Sequence, residues 1–135
     1  MKILITGSTG YVGRSYMKYY SHAHEYIKFS LQFEQIDDIN FDSIETILHC
    51  AALVHQKTKH SYEEYSQVNT LYPIELAKNA KRNGIKHFVL LSTIAVYDEG
   101  IECLNEHSIC NPTTYYGKSK LEAEQKLLEL SILSW

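Results

Sequence analysis

The sequence predicts an α/β fold in which a doubly wound parallel sheet lies between two layers of helices, a three-layer α/β/α arrangement. Short apolar runs alternate with longer segments of helical periodicity along the 135 residues. A glycine-rich turn directly follows the first apolar run, and small or polar residues follow the others. Because parallel neighbours need crossover connections, this alternation predicts a parallel sheet with helices on both faces. Such a sheet binds its ligand at the carboxyl ends of the strands.

The predicted strands are short apolar runs, as is typical of buried strands in a parallel sheet. They are Lys2–Ile5, Glu25–Phe29, Thr46–Cys50 and His87–Leu91. Phe33–Ile36 is a candidate for a further brief strand, although the polar Asp37, Asp38 and Asn40 that follow are typical of a loop.

The predicted helices are about Tyr11–Tyr20, Ser61–Arg82 and Thr113–Leu130. Ser61 and Glu64 have the spacing of a capping box, in which two side chains satisfy free amide donors at a helix start. Gly84 stands where a left-handed C-terminal cap is expected. The apolar face of the second helix is expected to hold Val68, Leu71, Leu76, Ala77 and Ala80.

Composition indicates one ordinary globular domain over residues 1–135. The formal net charge of -3 gives no reason to expect nucleic acid or an anionic membrane as a partner. No apolar run approaches the ~18 residues of a membrane span, and Ile3–Ile5 is too short for a signal peptide. The three cysteines leave an odd thiol, which favours a reducing compartment, so a cytoplasmic location is expected. Neither the cysteines nor the seven histidines have a convincing metal-ligand spacing, and no metal is expected.

The turn Thr6–Gly13 is a GxxGxxG motif between a strand and a helix. The first glycine allows a sharp turn, the second lets the backbone approach a pyrophosphate, and the third lets helix and strand pack closely. The helix amino terminus behind it offers free amides and the positive end of its dipole to phosphates. The motif therefore favours dinucleotide binding over the alternative of a turn without a ligand.

Tyr116 and Lys120 are four residues apart on the last predicted helix and share a face. A tyrosine has an ordinary pKa near ~10 and is a poor base at neutral pH, but a nearby ammonium favours its ionised form. Thr93 follows the last predicted strand, where its hydroxyl can reach a substrate oxygen. Each feature alone is common on a protein surface, whereas their order on one predicted scaffold indicates a catalytic site.

These motifs resemble the extended short-chain dehydrogenase/reductase family, particularly its NAD-dependent sugar-nucleotide epimerases and dehydratases, of which UDP-glucose 4-epimerase is an example. The segments His49–Ala52, Val68–Asn69, Leu91–Thr93 and Val96–Tyr97 extend the resemblance over essentially the whole chain. It implies a Rossmann-type fold, a nucleotide-sugar substrate and NAD as cofactor, with NADP as the alternative. It also implies a homodimer formed through the second and third helices.

The resemblance assigns roles to individual residues. Tyr116 is the expected general base, Lys120 binds the nicotinamide ribose and favours the tyrosinate, and Thr93 hydrogen-bonds the reacting oxygen. The residues expected to bind the cofactor are Gly7, Thr9, Gly10, Tyr11, Val12, Gly13, Asp38, Ile39, Cys50, Ala51, Ala52, Asn69, Ser92, Tyr116 and Lys120.

Two positions leave alternatives open. Phe29–Gln32 contains neither the acid that selects NAD nor an arginine, and Arg14 is weak evidence for NADP. Pro73 has no backbone N–H to donate to the Asn69 carbonyl. Either that carbonyl is free to take part in a water relay, or the proline only kinks the helix. His55 is a candidate for the substrate side of the site.

The resemblance implies a C-terminal substrate-binding lobe beyond the last predicted helix, and this sequence stops at Trp135. We therefore expect that lobe to be absent, the sheet to be incomplete at its C-terminal end, and turnover by these residues alone to be weak. Three functions remain in play: a sugar-nucleotide epimerase or dehydratase, a sugar reductase or dehydrogenase of the same family, and a non-catalytic dinucleotide-binding module.

Overall fold

The computed structural model describes residues 1–54, 59–100 and 103–131, so the candidate His55 lies outside the described residues. The strands are β1 (Lys2–Thr6), β2 (Glu25–Phe29), β3 (Thr46–His49) and β4 (His87–Leu90). They form one parallel sheet in the order β2-β1-β3-β4. The helices are α1 (Tyr11–Tyr19), α2 (Tyr62–Ser66), α3 (Tyr72–Arg82) and α4 (Tyr115–Glu129). The predicted α/β fold with a parallel sheet is confirmed.

The two faces of the sheet carry different helices. Leu4 lies level with Ile47, and Ile47 with Phe88, and these side chains pack with Leu76 of α3 and Leu127 of α4 in the main core. The opposite face carries Ile3, whose register partner Tyr26 contacts Tyr16 of α1 with ring centroids 6.2 Å apart. Helices on both faces are the doubly wound arrangement that the sequence predicts.

The predicted helix Ser61–Arg82 is interrupted, which corrects the prediction. Its capping box forms, but a π-helical turn at Gln67–Leu71 separates α2 from α3. Pro73 lacks the amide that an α-helix needs there, and the wider turn accommodates it. The turn also changes which residues face the core, because it adds a residue to the helical repeat. Leu71 is 46% exposed for that reason, whereas Leu76, Ala77 and Ala80 are fully buried as expected.

Phe33–Ile36 is not a strand, and this prediction was wrong. The segment is a turn followed by one 3-10 turn at Ile36–Asp38, and Ile36 packs in the core while Phe33 is 85% exposed. The Glu34 carboxylate accepts the Ser30 backbone N–H at 2.7 Å, which closes the chain into a turn. A local hydrogen bond of this kind competes with pairing in a sheet.

Among residues 1–54, 59–100 and 103–131, no helix is both long enough and apolar enough to cross a lipid bilayer.

Candidate active site

The candidate site lies at the carboxyl edge of the sheet, between β1 and β3. The chain moves from β1 outward to β2 on one side and from β3 outward to β4 on the other. The connections that leave β1 and β3 therefore run in opposite directions, and a crevice forms between them beyond the strand ends, which is where open parallel sheets bind ligands.

Gly7 brings these two loops into direct contact. Its φ is +68°, and a Cβ at this position would lie 2.6 Å from the Ala51 nitrogen and 2.7 Å from the Cys50 carbonyl carbon. A side chain would be strained by the dihedral angle and would overlap backbone that has no room to move. The first glycine of the motif thus permits both the sharp turn and the approach of the β3 loop.

The rest of the glycine turn fits a pyrophosphate. A Cβ on Gly13 would lie 2.4 Å from the Gly7 oxygen, so only glycine lets α1 sit this close to the turn. Gly10 is exposed, and the only atom within 4 Å of an added Cβ is the Gly7 oxygen, at 3.3 Å. Gly10 is also the N-cap of α1 and makes no side-chain cap, so the first-turn amides remain available to an anion. Tyr11 and Val12 are 81% and 44% exposed, so they would contribute these amides rather than buried side-chain contacts.

Hydrogen bonds of Thr6 and His49 join the loop after β1 to the loop after β3 at the strand ends. The Thr6 Oγ1 and His49 Nδ1 are hydrogen-bonded at 2.9 Å, and the Ala51 N–H donates to the same Oγ1 at 3.3 Å. Both side chains are fully buried. Among the described residues, His49 Nε2 has no hydrogen-bond partner, and burial lowers the pKa of the imidazole from 6.5 to about 3.

The neutral His49 predicts acid sensitivity. Between pH 6.5 and about 3 the unfolded chain binds one more proton at this residue than the folded chain does. Its contribution to stability is therefore complete above pH 6.5 and is lost as the pH falls, at about 1.4 kcal/mol per pH unit. Urea unfolding at several pH values should show a shallower pH slope in His49→Gln than in the wild type. The exposed His107→Gln is the control, and equal slopes in all three proteins would contradict the prediction.

A cleft of about 330 Å³ joins the glycine turn to the loops after β2 and β3. Six of the residues predicted to bind the cofactor line this cleft: Gly7, Thr9, Gly10, Cys50, Ala51 and Ala52. Ser8, which was not predicted, lines it as well. On the β2 side the lining is Phe29, Ser30, Leu31 and Gln32, without a charged side chain. An acid that would select NAD by binding a ribose hydroxyl is thus absent from this part of the lining.

Asp38 and Ile39 lie elsewhere. They line a neighbouring cleft beside β2 that shares only Phe29 with the first. The structure does not bring them to the glycine turn, because Ile36 anchors the 3-10 turn before them in the core. Glu34 lines this second cleft as well. The sequence did not indicate that the Glu34 carboxylate lies at the end of β2. Its position there depends on the turn in which it accepts the Ser30 N–H.

The start of helix α4 is set by a capping threonine and a glycine in the first turn. The Thr114 hydroxyl accepts the Gly117 N–H at 3.0 Å, so the helix begins at Tyr115 and places Tyr116 in its first turn. A Cβ on Gly117 would lie 2.2 Å from the Ala95 oxygen. The absence of a side chain therefore lets α4 rest directly on the loop that carries Thr93.

Lys120 is buried with 1% of its surface exposed. Burial lowers the pKa of its ammonium from 10.5 to about 8, and the negative charge of Glu124, and that of Cys50 when its thiol ionises, act against that shift. The same burial raises the pKa of the Cys50 thiol, with Lys120 acting in the other direction. At pH 7 the lysine remains charged in its protein environment, one helical turn from the half-buried Tyr116.

The Thr93 hydroxyl is positioned as a donor. Its oxygen accepts the Ala95 N–H at 3.2 Å and so caps a 3-10 turn at Ile94–Val96. Because the oxygen already accepts this bond, its own proton can be directed to another oxygen. The neighbouring Ser92 hydroxyl donates to the Glu124 carboxylate of α4.

Asn69 joins three segments that are distant in sequence. Its side chain accepts the Leu53 N–H at 2.7 Å and donates to the Leu53 carbonyl at 2.9 Å and to the Ser119 hydroxyl at 3.0 Å. Thr70 donates to the Ser119 carbonyl at 2.8 Å. This network positions α4 against the β3 loop, and the sequence gives no signal for Thr70 or Ser119. The role of Asn69 in cofactor binding stays a prediction.

The sequence was compared with family models. The model described as the RmlD substrate binding domain matches residues 1–132. The chain belongs to the RmlD family. Named relatives are sugar-nucleotide epimerases, dehydratases and reductases, which confirms the family that the motifs predict.

Curated relatives of this RmlD-family chain include sugar-nucleotide enzymes and a protein named as a subunit of another enzyme. UDP-glucose 4-epimerase of Vibrio cholerae is 33% identical over 96% of the chain and 47% of its own length. Methionine adenosyltransferase 2 subunit beta of Bos taurus is 28% identical over 95% of the chain and 43% of its own length. The chain thus spans about half the length of the curated relatives it matches.

Solved structures of similar fold include a dTDP-4-dehydrorhamnose reductase from Clostridium acetobutylicum. It is 31% identical and superposes with a TM-score of 0.83. The alignment covers 98% of this chain and 51% of the length of the reductase. UDP-glucuronic acid 4-epimerase from Bacillus cereus, solved with NAD, is 20% identical with a TM-score of 0.81, over 97% of the chain and 52% of its own. That second likeness supports the fold of the RmlD-family chain alone.

Proposed function

We propose that this chain forms the dinucleotide-binding and catalytic part of an NAD(P)-dependent epimerase, dehydratase or reductase that acts on a nucleotide-linked sugar. The observation that carries the proposal is the crevice at the strand ends. The open glycine turn lies on one side of it, in contact with the β3 loop, and that loop is tied through Asn69 to the helix of Tyr116 and Lys120. A phosphate cradle and an acid–base group thus belong to one connected structure.

Each residue of the site has a separate proposed role. The uncapped amides at the start of α1 bind the pyrophosphate, and the Lys120 ammonium binds a ribose hydroxyl. Tyr116 takes the proton of the reacting sugar hydroxyl, and Thr93 donates a hydrogen bond to the same oxygen. A bound nicotinamide dinucleotide would supply the hydride acceptor for the carbon that carries this oxygen. Tyr116 and Lys120 are four residues apart on α4 and therefore share one face of the helix.

Dinucleotide binding is tested by thermal unfolding. At a concentration one hundred times its dissociation constant, a ligand specific for the folded state adds about 2.7 kcal/mol of stability. For a domain of this size we expect NAD or NADP to raise Tm by roughly 5–10 °C. UTP serves as the control nucleotide, and an unchanged Tm with both dinucleotides would contradict the proposal. Comparing NAD with NADP also identifies the preferred cofactor, because the described residues that line the cleft include neither a carboxylate to repel a 2′-phosphate nor an arginine to bind it.

An epimerase resembling UDP-glucose 4-epimerase is the more specific form of the proposal. The 33% identity to the Vibrio cholerae enzyme supports it. A reductase is the second candidate, supported by the 31% identity to the Clostridium acetobutylicum dTDP-4-dehydrorhamnose reductase. Net consumption of NAD(P)H distinguishes the two, because an epimerase restores its cofactor in each cycle and a reductase does not.

A non-catalytic module is a third candidate, from a different class. The observation that favours it is the 28% identity to methionine adenosyltransferase 2 subunit beta, whose name describes a subunit of another enzyme. A module of this kind would bind dinucleotide and keep its function without Tyr116. The homodimer and the cytoplasmic location remain predictions.

A further inference from the structure

We propose that Glu124 is a positioning residue for the tyrosine–lysine pair: its carboxylate ties the Thr93 loop to α4 through Ser92 and supplies the charge that opposes the buried ammonium of Lys120. This role rests on the proposed function, since it acts on residues that the proposal makes catalytic. The sequence alone shows only a glutamate on a charged helix, of which α4 has three.

The tie to the loop is the first part of the argument. The Ser92 hydroxyl donates to the Glu124 carboxylate across 32 residues of sequence. Ser92 adjoins Thr93, whose hydroxyl caps the next turn by accepting the Ala95 N–H. The loop is thereby held to α4 near its start, where Gly117 meets the Ala95 oxygen, and again two helical turns later at Glu124. Two attachments fix the orientation of Thr93 relative to Tyr116, which one contact cannot do.

The negative charge of Glu124 is the second part of the argument. Glu124 follows Lys120 by four residues and therefore lies on the same face of the helix. Lys120 is almost completely buried, and an isolated buried ammonium loses its proton readily. The titratable groups near it are Glu124 and Tyr116 on α4, and Cys50 and His49 at the end of β3. At neutral pH His49 is uncharged and burial keeps Cys50 a thiol, so neither supplies a negative charge, and Glu124 is the carboxylate in this set.

Glu124→Gln separates the two parts of the role. The amide keeps the size of the side chain and can still accept from Ser92, but the charge is lost. Ser92→Ala does the reverse, because it removes the tie and leaves the charge. Glu129→Gln is the matched control, a glutamate on the same helix with an exposed side chain.

The first measurement is the titration of Lys120 by NMR of its side-chain carbon without any dinucleotide, with the signal assigned by Lys120→Met. We expect its midpoint to move to lower pH by about one unit in Glu124→Gln and to stay in place in Glu129→Gln. A merely structural glutamate would leave the midpoint where it is. An unmoved midpoint in a folded Glu124→Gln protein overturns the charge role.

The second measurement is amide hydrogen exchange at Ala95 and Val96. We expect about five- to tenfold faster exchange in Ser92→Ala than in Glu129→Gln, because the loop loses one attachment. Equal exchange rates in Ser92→Ala and Glu129→Gln overturn the proposed role of the Ser92–Glu124 hydrogen bond. This measurement can be made even if Glu124→Gln fails to fold. Neither measurement uses a dinucleotide, so a failure of NAD(P) to bind would contradict the proposed function while leaving the inference about Glu124 to be decided by these two results.

Discussion

Tyr116→Phe is expected to lower the catalytic rate on the nucleotide-linked sugar by about two to four powers of ten, the usual contribution of a general base. Phenylalanine keeps the ring in the first turn of α4, held by the Thr114 cap and the close packing of Gly117. Only the oxygen that takes the proton is lost. Steady-state kinetics measures the effect, and dinucleotide should still raise the Tm of the variant, because the glycine turn is intact.

Tyr115→Phe is the matched control for this experiment. Tyr115 is the adjacent residue, is 50% exposed and packs its ring against Tyr62 and Tyr65, away from the position of Tyr116 on the helix. Its rate should stay close to the wild-type rate. A Tyr116→Phe protein that kept full activity would show that the base is another group, and it would favour the non-catalytic module.

Gly7→Ala is expected to destabilise the fold and to weaken dinucleotide binding more than tenfold. The positive φ costs a side chain about 1–2 kcal/mol, and overlap with packed atoms about 1–3 kcal/mol more. The overlap falls on the backbone of Cys50 and Ala51, which lines the cleft, so relief of it must widen the crevice between the two loops. Urea unfolding gives the stability change, and thermal unfolding with dinucleotide gives the change in binding.

Gly84→Ala isolates the dihedral cost. Gly84 has a φ of +79°, close to that of Gly7, but among the described residues, its two chain neighbours aside, no atom lies within 4 Å of an added Cβ. Its free energy of unfolding should fall by about 1–2 kcal/mol and its dinucleotide binding should not change. If the two alanine variants lost equal stability and bound dinucleotide equally well, the contact between the two loops would have no part in forming the site.

The elements that sequence predicts well are those coded by neighbouring residues. The strand Glu25–Phe29 has the predicted bounds, and the capping box at Ser61 forms because both partners lie within one turn. The glycine turn and the Tyr116–Lys120 spacing are local patterns of the same kind. Phe33–Ile36 was predicted wrongly because its apolar residues suit a strand, while the bond between Glu34 and Ser30 and the burial of Ile36 favour a turn.

The sequence by itself determined the succession of the main strands and helices along the chain, the glycine turn and the chemical types of the residues proposed to be catalytic, since each depends on side chains a few positions apart. Only the tertiary structure decided that Glu124 reaches Ser92, that Asn69 and Thr70 hold Ser119, and that Asp38 and Ile39 lie in a different cleft from the glycine turn. These contacts join residues 32 to 50 positions apart or depend on where a loop packs. Their partners are set by how the helices pack on the sheet, and no local pattern in the sequence carries that information.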